Sequence, residues 1–434
     1  MTPGTRLDVS IEKPAAGGRM IARHDGAVLL VAGAIPGERA EVTVERVQKQ
    51  TVWARVSRVI EASPDRVGGA DRGACGGHVY AHVAPARQAS LKAEIVADAF
   101  ARIGRLPLAA PVPVVSAEPR GYRMRARLQI AHGAVGFFRE GSHAICDAVA
   151  TGQLGEGASA LVPRLADAVR GQAGDGVQAL EISETVAGDA RVLHIVGPAE
   201  PPIALADALH VAGVRGVSWS VDEHARSKTM WGEPWVEDTL PIRGTAVRLR
   251  RHARSFFQGN RYLLVPLVEH VLQAIAPGPL VDLYAGVGLF SVSAAAAGIG
   301  PVLAVEGDRS SAGDLRDNAQ AFADTLAVLH APVERALAGG LRQPVTVVLD
   351  PPRVGATPEA LKGVIALAAA RVVYVSCDVA TLARDAKALA AAGYALDDLR
   401  AFDLFPQTAH VETVAVFTRR DASQGPGPIP APGS

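Results

Sequence analysis

The first sixty residues alternate apolar and polar positions in short runs. Leu7-Asp8-Val9-Ser10-Ile11, Ala40-Glu41-Val42-Thr43-Val44 and Val52-Trp53-Ala54-Arg55-Val56 change face at every residue, the period of a half-buried strand. An apolar run, Ala27-Val28-Leu29-Leu30-Val31, lies among them, and Ala15-Ala16-Gly17-Gly18 and Ile35-Pro36-Gly37-Glu38 supply turns. Short strands punctuated in this way predict a small all-β barrel. Further on the signal mixes. Leu91, Ile95, Val96, Ala99 and Phe100 recur at near-helical spacing within 87–103, followed by strand-like runs at 122–130, 135–138, 180–183, 192–196 and 216–221. That order predicts an antiparallel sheet with a few helices. After Pro241 the pattern changes again. Runs rich in β-branched and apolar residues at 280–283, 302–305, 345–349 and 372–375 alternate with Ala-rich helical stretches, the order of a parallel sheet with both faces covered.

The predicted fold class is therefore α/β: a small all-β barrel over 1–62, a central α+β domain over 63–242, and a doubly wound domain over 243–420. The Pro/Gly-rich tail 421–434 has almost no core-forming residues and reads as disordered. At 434 residues with 49% hydrophobic content, each domain can bury a core. Lys+Arg and Asp+Glu both number 44, which excludes a uniformly basic nucleic-acid coat but not a local basic groove. Three scattered cysteines, Cys75, Cys146 and Cys377, make no disulfide framework and suit a reducing compartment. No apolar run approaches the ~18 residues of a spanning helix, and the opening MTPGTRLDVSIEKP lacks a signal-peptide layout. No membrane association and a cytoplasmic location are expected.

The sharpest local feature is Val281-Asp282-Leu283-Tyr284-Ala285-Gly286-Val287-Gly288-Leu289-Phe290, a buried strand running through a glycine turn into a helix. Glycines let a ligand approach the backbone and turn the helix N-terminus toward it. Glu306 ends the next strand, where a carboxylate in such folds binds ribose hydroxyls. Ser291 breaks the GxGxxG dinucleotide pattern, so a nicotinamide cofactor is disfavoured. The arrangement resembles the S-adenosylmethionine site of class I methyltransferases.

Three later segments place polar residues after strands: Asp350-Pro351-Pro352-Arg353, Ser376-Cys377-Asp378, and the stretch 402–414 that ends in His410-Val411-Glu412-Thr413-Val414. In an open parallel sheet the carboxyl ends of the strands line the ligand crevice, so Asp350 and Cys377 border one pocket. Taken singly, Cys377 could be a small buried hydrophobe, Glu412 a solvated carboxylate, Asp350 a helix cap, and Gln258 and Asn260 turn residues. Together, SFFQGN at 255–260, DLYAGVGLF, LDPPR, YVSCDVATLARD and FDLFPQTAHVETV resemble the motifs of the RNA 5-methyluridine methyltransferase family, in order and spacing, over about 250–417. The N-terminal barrel is similar to the TRAM domain that many members carry.

The resemblance implies S-adenosylmethionine-dependent methylation of uracil C5 in RNA, with Cys377 as nucleophile and Glu412 as general base. It implies cofactor contacts from Gln258, Tyr284, Gly286, Gly288, Glu306 and Asp350. The TRAM-like barrel puts 23S ribosomal RNA first as substrate and transfer RNA second; an RNA-binding or folding module without catalysis is the alternative of another class. The protein is expected to act as a monomer.

Two features depart from the family's pattern. Many members hold an iron–sulfur cluster through a cysteine, then CGGC, then another cysteine. Here Cys75-Gly76-Gly77-His78 keeps one of that pair and Gly69 stands near the upstream position, so no cluster and no metal are expected. Asp378 stands where Asn is common; a carboxylate beside the nucleophile tends to raise its pKa. For RNA, strand alternation puts Arg123, Arg125 and Arg127 on one face as a candidate phosphate track, with Arg353 a further contact and Phe256 and Phe257 candidate stacking planes. A merely charged sheet face is the competing reading of that track.

Overall fold

The computed structural model describes residues 1–49, 51–68, 75–171, 177–197, 200 and 203–420. The tail expected over 421–434, and Gly69, lie outside the described residues.

Five strands, Arg6–Pro14, Met20–His24, Ala27–Ala32, Arg39–Gln48 and Thr51–Glu61, close into a barrel. The alternation seen in the sequence sends Val9, Ile11, Met20, Ala22, Leu29, Val31, Val42 and Val44 inward, all nearly solvent-free. The barrel core continues into Tyr80, Leu91, Ile95 and Ala409, so the barrel seats on the helix Pro85–Ala99 and on the loop before the last strand.

The central sheet has seven strands, in the order Lys228–Gly232, Val214–Ser220, Arg191–Val196, Ala179–Glu184, Arg125–Ala131, Ala134–Phe138, Ile145–Cys146. It is antiparallel except where Arg191–Val196 runs parallel to Val214–Ser220. The helix Glu156–Gly171 buries Leu161, Val162, Leu165 and Val169 against it. One feature overturns the reading of the cysteines as unpaired: Cys75 and Cys146 form a disulfide spanning 71 residues. Pairing of Ile145–Cys146 with Ala134–Phe138, and a bridge from Cys75 to Arg139, bring the two together from distant parts of the chain.

The third sheet has eight strands: Leu326–His330, Val302–Glu306, Leu280–Leu283, Thr346–Leu349, Arg371–Ser376, Glu412–Arg419, Tyr394–Phe402, Val114–Val115. The first five are parallel, and Glu412–Arg419 inserts antiparallel beside Arg371–Ser376. Strands covered on both faces have no polar side to show: Val347, Val348, Leu349 and Val372 to Val375 are all solvent-free. Two elements of the 63–242 stretch pack here instead of on the central sheet. Val114–Val115 extends the edge, and Val96, Ala99 and Phe100 share a core with Tyr374, Leu382 and Leu389. From the same helix, the solvent-free Lys92 pairs with Asp403 and donates to the Phe405 carbonyl at 3.0 Å, pinning the loop that leads to Glu412.

Candidate active site

Leu280–Leu283 delivers the chain into a turn in which Tyr284, Gly286 and Gly288 all have positive φ (61°, 57° and 97°). At Gly288 a Cβ would meet Val292 at 2.6 Å and Leu315 at 2.7 Å, so the turn admits only glycine there. The helix Leu289–Ala296 follows. The Gly286 amide donates to Glu306 Oε2 at 2.7 Å, and the Asp308 amide donates to Oε1 at 2.6 Å. Burial raises the Glu306 pKa, and these amide bonds oppose the shift. Under the turn, Asp282 accepts from the Ser291 amide at 3.0 Å through Oδ2, while its buried Oδ1 has no partner. Burial pushes that carboxyl up to about 7.

Asp350 follows the neighbouring strand Thr346–Leu349. Its Oδ2 accepts from Gln258 Nε2 at 3.1 Å, and burial, with the Asp282 charge behind it, pushes it up to about 7. Gln258 is held from both sides of its segment. Ser255 Oγ donates to Asp314 at 2.6 Å, and the buried Asn260 donates to the Leu404 carbonyl at 3.2 Å while accepting the Tyr262 and Leu263 amides. Asn260 thus joins the two motif segments 255–260 and 402–414.

Cys377 sits between the strand Arg371–Ser376 and the helix Val379–Ala391, half-buried. Burial, then the charges of Glu412 and Asp350, push its thiol up to about 12; Arg353 pulls the other way. Asp378 is not among the groups that raise it. Its carboxylate caps the helix by accepting the Thr381 amide at 2.9 Å. Glu412 opens the last strand at 2% exposure, with Oε1 unpartnered. Burial and then Asp350 raise its pKa well above the ordinary value, again against Arg353.

These groups meet in one cavity of about 630 Å³, lined by Gln258, Tyr284, Gly286, Glu306, Asp350, Arg353, Cys377 and Glu412 among others. Of the residues singled out for cofactor or catalysis, Gly288 alone is not in the lining; it shapes the turn from behind. Phe256 also lines the cavity, at 55% exposure, whereas Phe257 is buried beneath the Arg251 guanidinium at 4.2 Å. Arg254, Asp308, Glu334 and Phe405 line it too, none of them named for cofactor or catalysis from the sequence. Glu334 follows Leu326–His330, a strand with only its first residue fully buried, which the sequence pattern does not single out; once that strand is known, the rule for strand ends finds it.

The arginine track fares differently. Arg123, Arg125 and Arg127 do share a face, but that face is engaged within the protein. Arg123 donates to Gln153 Oε1 at 2.8 Å and lies over Phe137. Arg125 donates to the Arg254 carbonyl at 3.2 Å, and Arg127 pairs with Glu181 and Glu223 at 3.3 and 2.6 Å. Arg353, by contrast, is exposed at the cavity and has no salt bridge with any described residue.

Comparison with known proteins bears on the same two ends of the chain. Residues 1–56 match the TRAM domain, and residues 342–420 match the tRNA (uracil-5-)-methyltransferase family. An uncharacterized RNA methyltransferase of Corynebacterium efficiens is 33% identical, the match covering 97% of each chain. The 23S rRNA (uracil(1939)-C(5))-methyltransferase RlmD of Thiobacillus denitrificans is 31% identical over 93% of this chain and 97% of its own. This chain belongs to the RNA uracil-C5 methyltransferase family. As a member it is an S-adenosylmethionine-dependent enzyme acting on RNA. The fold of the family is also matched by the tRNA (uracil-54, C5)-methyltransferase of Pyrococcus abyssi, solved with S-adenosylhomocysteine, at a TM-score of 0.75 and 24% identity, covering 94% of this chain and 99% of that one. None of the described helices is long and apolar enough to cross a membrane.

Proposed function

We propose that this enzyme forms 5-methyluridine in 23S ribosomal RNA, with Cys377 as the nucleophile and Glu412 as the base. The observation that carries the reading is the convergence of Cys377, Glu412 and the Glu306–Gly286–Asp350–Gln258 wall on a single cavity. That wall fits S-adenosylmethionine: a glycine turn admits close approach, carboxylates line the edge, and Val333, Pro332 and Pro351 give apolar sides. When bound, the cofactor supplies an electrophilic methyl group. Gln258, Tyr284, Gly286, Glu306 and Asp350 would hold it.

Uracil C5 is a poor nucleophile until C6 is attacked. Addition of the Cys377 thiolate at C6 would convert C5–C4–O4 into an enolate whose C5 can accept the methyl that bound S-adenosylmethionine would supply, the cofactor leaving as S-adenosylhomocysteine. Glu412 removes the C5 proton, the C5–C6 double bond re-forms, and the thiolate departs. A thiol held near 12 is largely protonated in the free enzyme, so ionisation accompanies substrate entry; Arg353 is the cation that favours both ionised groups. Exposed Phe256 offers a plane for a base turned out of its stack.

Relatives named for 23S rRNA and the TRAM match at the N-terminus favour ribosomal RNA. The family description naming tRNA keeps transfer RNA as the second reading. The test uses 5-fluorouridine-substituted RNA, whose C5 fluorine cannot leave as a proton does. Wild-type protein with S-adenosylmethionine should form an adduct that survives denaturation, Cys377→Ala should not, and mapping the trapped RNA names the substrate. Absence of any adduct with ribosomal or transfer RNA, despite cofactor binding, would overturn the mechanism.

A further inference from the structure

Beside the active cavity lies a second hollow of about 450 Å³ on the outer side of the helix Arg309–Ala319. The two share Arg254 and Asp308 in their linings, so they adjoin. Its acids are already engaged. Asp308 accepts the Ser311 amide at 2.8 Å, Asp314 takes the His252 amide and the Ser255 hydroxyl, and Asp317 pairs with Arg250 at 3.2 Å. Two of its arginines are engaged as well. Arg250 lies over the Trp235 ring at 4.4 Å, and Arg254 donates to the Ala225 carbonyl at 2.5 Å.

That leaves Arg226, Arg309 and Arg316. All three are exposed, line the same hollow, and have no hydrogen-bonding or ionic side-chain partner among the described residues. Arg226 comes from the central-sheet side of the hollow and the other two from the methyltransferase side. The lining holds Arg226, Arg250, Arg254, Arg309 and Arg316 against Asp308, Asp314 and Asp317, an excess of positive charge from separate elements that a polyanion would offset. Ser227, which also lines the hollow, has a hydroxyl shielded from solvent with no hydrogen-bond partner among the described residues. This contrasts with the Arg123–Arg127 face, whose guanidinium groups are spent on carboxylates and carbonyls of the protein.

We propose that this hollow binds the sugar-phosphate backbone of the RNA substrate next to the target uridine, with Arg226, Arg309 and Arg316 neutralising phosphates. The inference rests on the RNA-methylating reading for its ligand. A base extruded into the 630 Å³ cavity leaves its flanking phosphates at the cavity edge, where Arg254 and Asp308 join the two hollows. Phosphate contacts of this kind fix register rather than sequence.

The test compares the full chain with the triple variant Arg226→Gln, Arg309→Gln, Arg316→Gln. A control triple, Arg102→Gln, Arg164→Gln, Arg342→Gln, removes the same charge elsewhere. Binding to a ribosomal RNA transcript is measured across a salt series, with S-adenosylmethionine affinity measured alongside. The hollow triple should bind RNA at least about tenfold more weakly at low salt. Its plot of log K against log salt should be shallower by about two units, since each phosphate contact contributes roughly 0.7 to 0.9. Cofactor affinity should not change, and adenosine monophosphate or inorganic phosphate should not displace the RNA. Wild-type affinity and slope in the hollow triple would overturn the proposal, as would equal weakening by the control. Displacement by the small anions would reassign the hollow to a free nucleotide or phosphate. If the wild type forms no 5-fluorouridine adduct while the hollow triple still loses RNA affinity, the uridine mechanism fails and the RNA site stands.

Discussion

Glu184 and Glu412 are both buried acids, at 1% and 2% exposure, in opposite surroundings. Glu184, in the central sheet, takes Arg191 Nε at 3.0 Å on one oxygen and Arg261 on the other. Nearby, the solvent-free Arg251 is shared between Asp238, Ser183 and the Glu184 carbonyl. Every charge there is answered, and the network ties the central sheet to the hairpin Trp235–Ile242/Thr245–His252 and to the segment that carries Gln258. Glu412 has one oxygen without a partner, and Asp282 nearby has the same deficit. Burial first, and then the charge of a neighbouring acid, raises the pKa of Asp350 and of Glu412, with Arg353 opposing the rise at Glu412. Answered charge fixes geometry; unanswered charge retains the capacity to take a proton.

Glu412→Gln probes that difference at its largest. If Glu412 is the base, methyl transfer proceeds but C5 deprotonation does not, so a methylated covalent adduct should accumulate even on ordinary uridine RNA, with turnover lowered by about 10²–10⁴-fold. Stability should change in the other sense. A carboxyl whose folded pKa is raised binds more protons folded than unfolded, so it subtracts from stability as pH rises above the ordinary value of 4.5. The variant should therefore melt no lower than wild type at pH 8, as a calorimetric scan would show; a large drop would place Glu412 among the structural acids.

Glu184→Gln should do the reverse. It strands Arg191 and Arg261, and removing one member of a buried ionic set costs about 3–5 kcal/mol. Denaturant unfolding should register that loss while adduct formation per folded molecule stays near wild type. Loss of adduct without loss of stability would contradict the division between the two regions.

Much of this contrast was legible in the sequence on one side only. The catalytic side sits partly on local signals: the glycine turn and the polar residues after apolar runs point to Glu306, Asp350 and Cys377 at strand ends. Gln258 and the role of Cys377 come from the family resemblance of their motifs; all four line one cavity. The answered side is made of contacts across long separations. Nothing near Arg125 or Arg127 says that Glu181 and Glu223 will face them, so an alternating basic strand looked like an open track. Cys75 and Cys146 were opaque for the same reason: only the pairing of Ile145–Cys146 with its neighbour brings them together. The edge strand Val114–Val115 is two residues long and is assigned by its partner Tyr394–Phe402 rather than by any pattern of its own.

Arg353→Gln sharpens the contrast within the cavity, because Arg353 is the cation that lowers both Cys377 and Glu412. Its removal raises both groups further, so the rising limb of kcat/KM against pH should move to higher pH, with a smaller change at the alkaline plateau. An unmoved limb accompanied by a raised KM for RNA would make Arg353 a phosphate contact alone.

The smallest effect is expected one residue from the nucleophile. Asp378 stands where the family commonly has Asn, and adjacency alone would make it a further burden on the thiol. Its carboxylate instead accepts the Thr381 amide at 2.9 Å, at the N-terminus of Val379–Ala391, where a negative charge is stabilised by the helix dipole. Burial first, and then the charges of Glu412 and Asp350, oppose ionisation of Cys377. Asn caps helices about as well as Asp, so Asp378→Asn should alter stability by less than about 1 kcal/mol. The pH profile of adduct formation should overlay that of wild type. A shift of that profile to lower pH would show that the adjacent carboxylate, and not the buried acids opposite, sets the reactivity of the thiol.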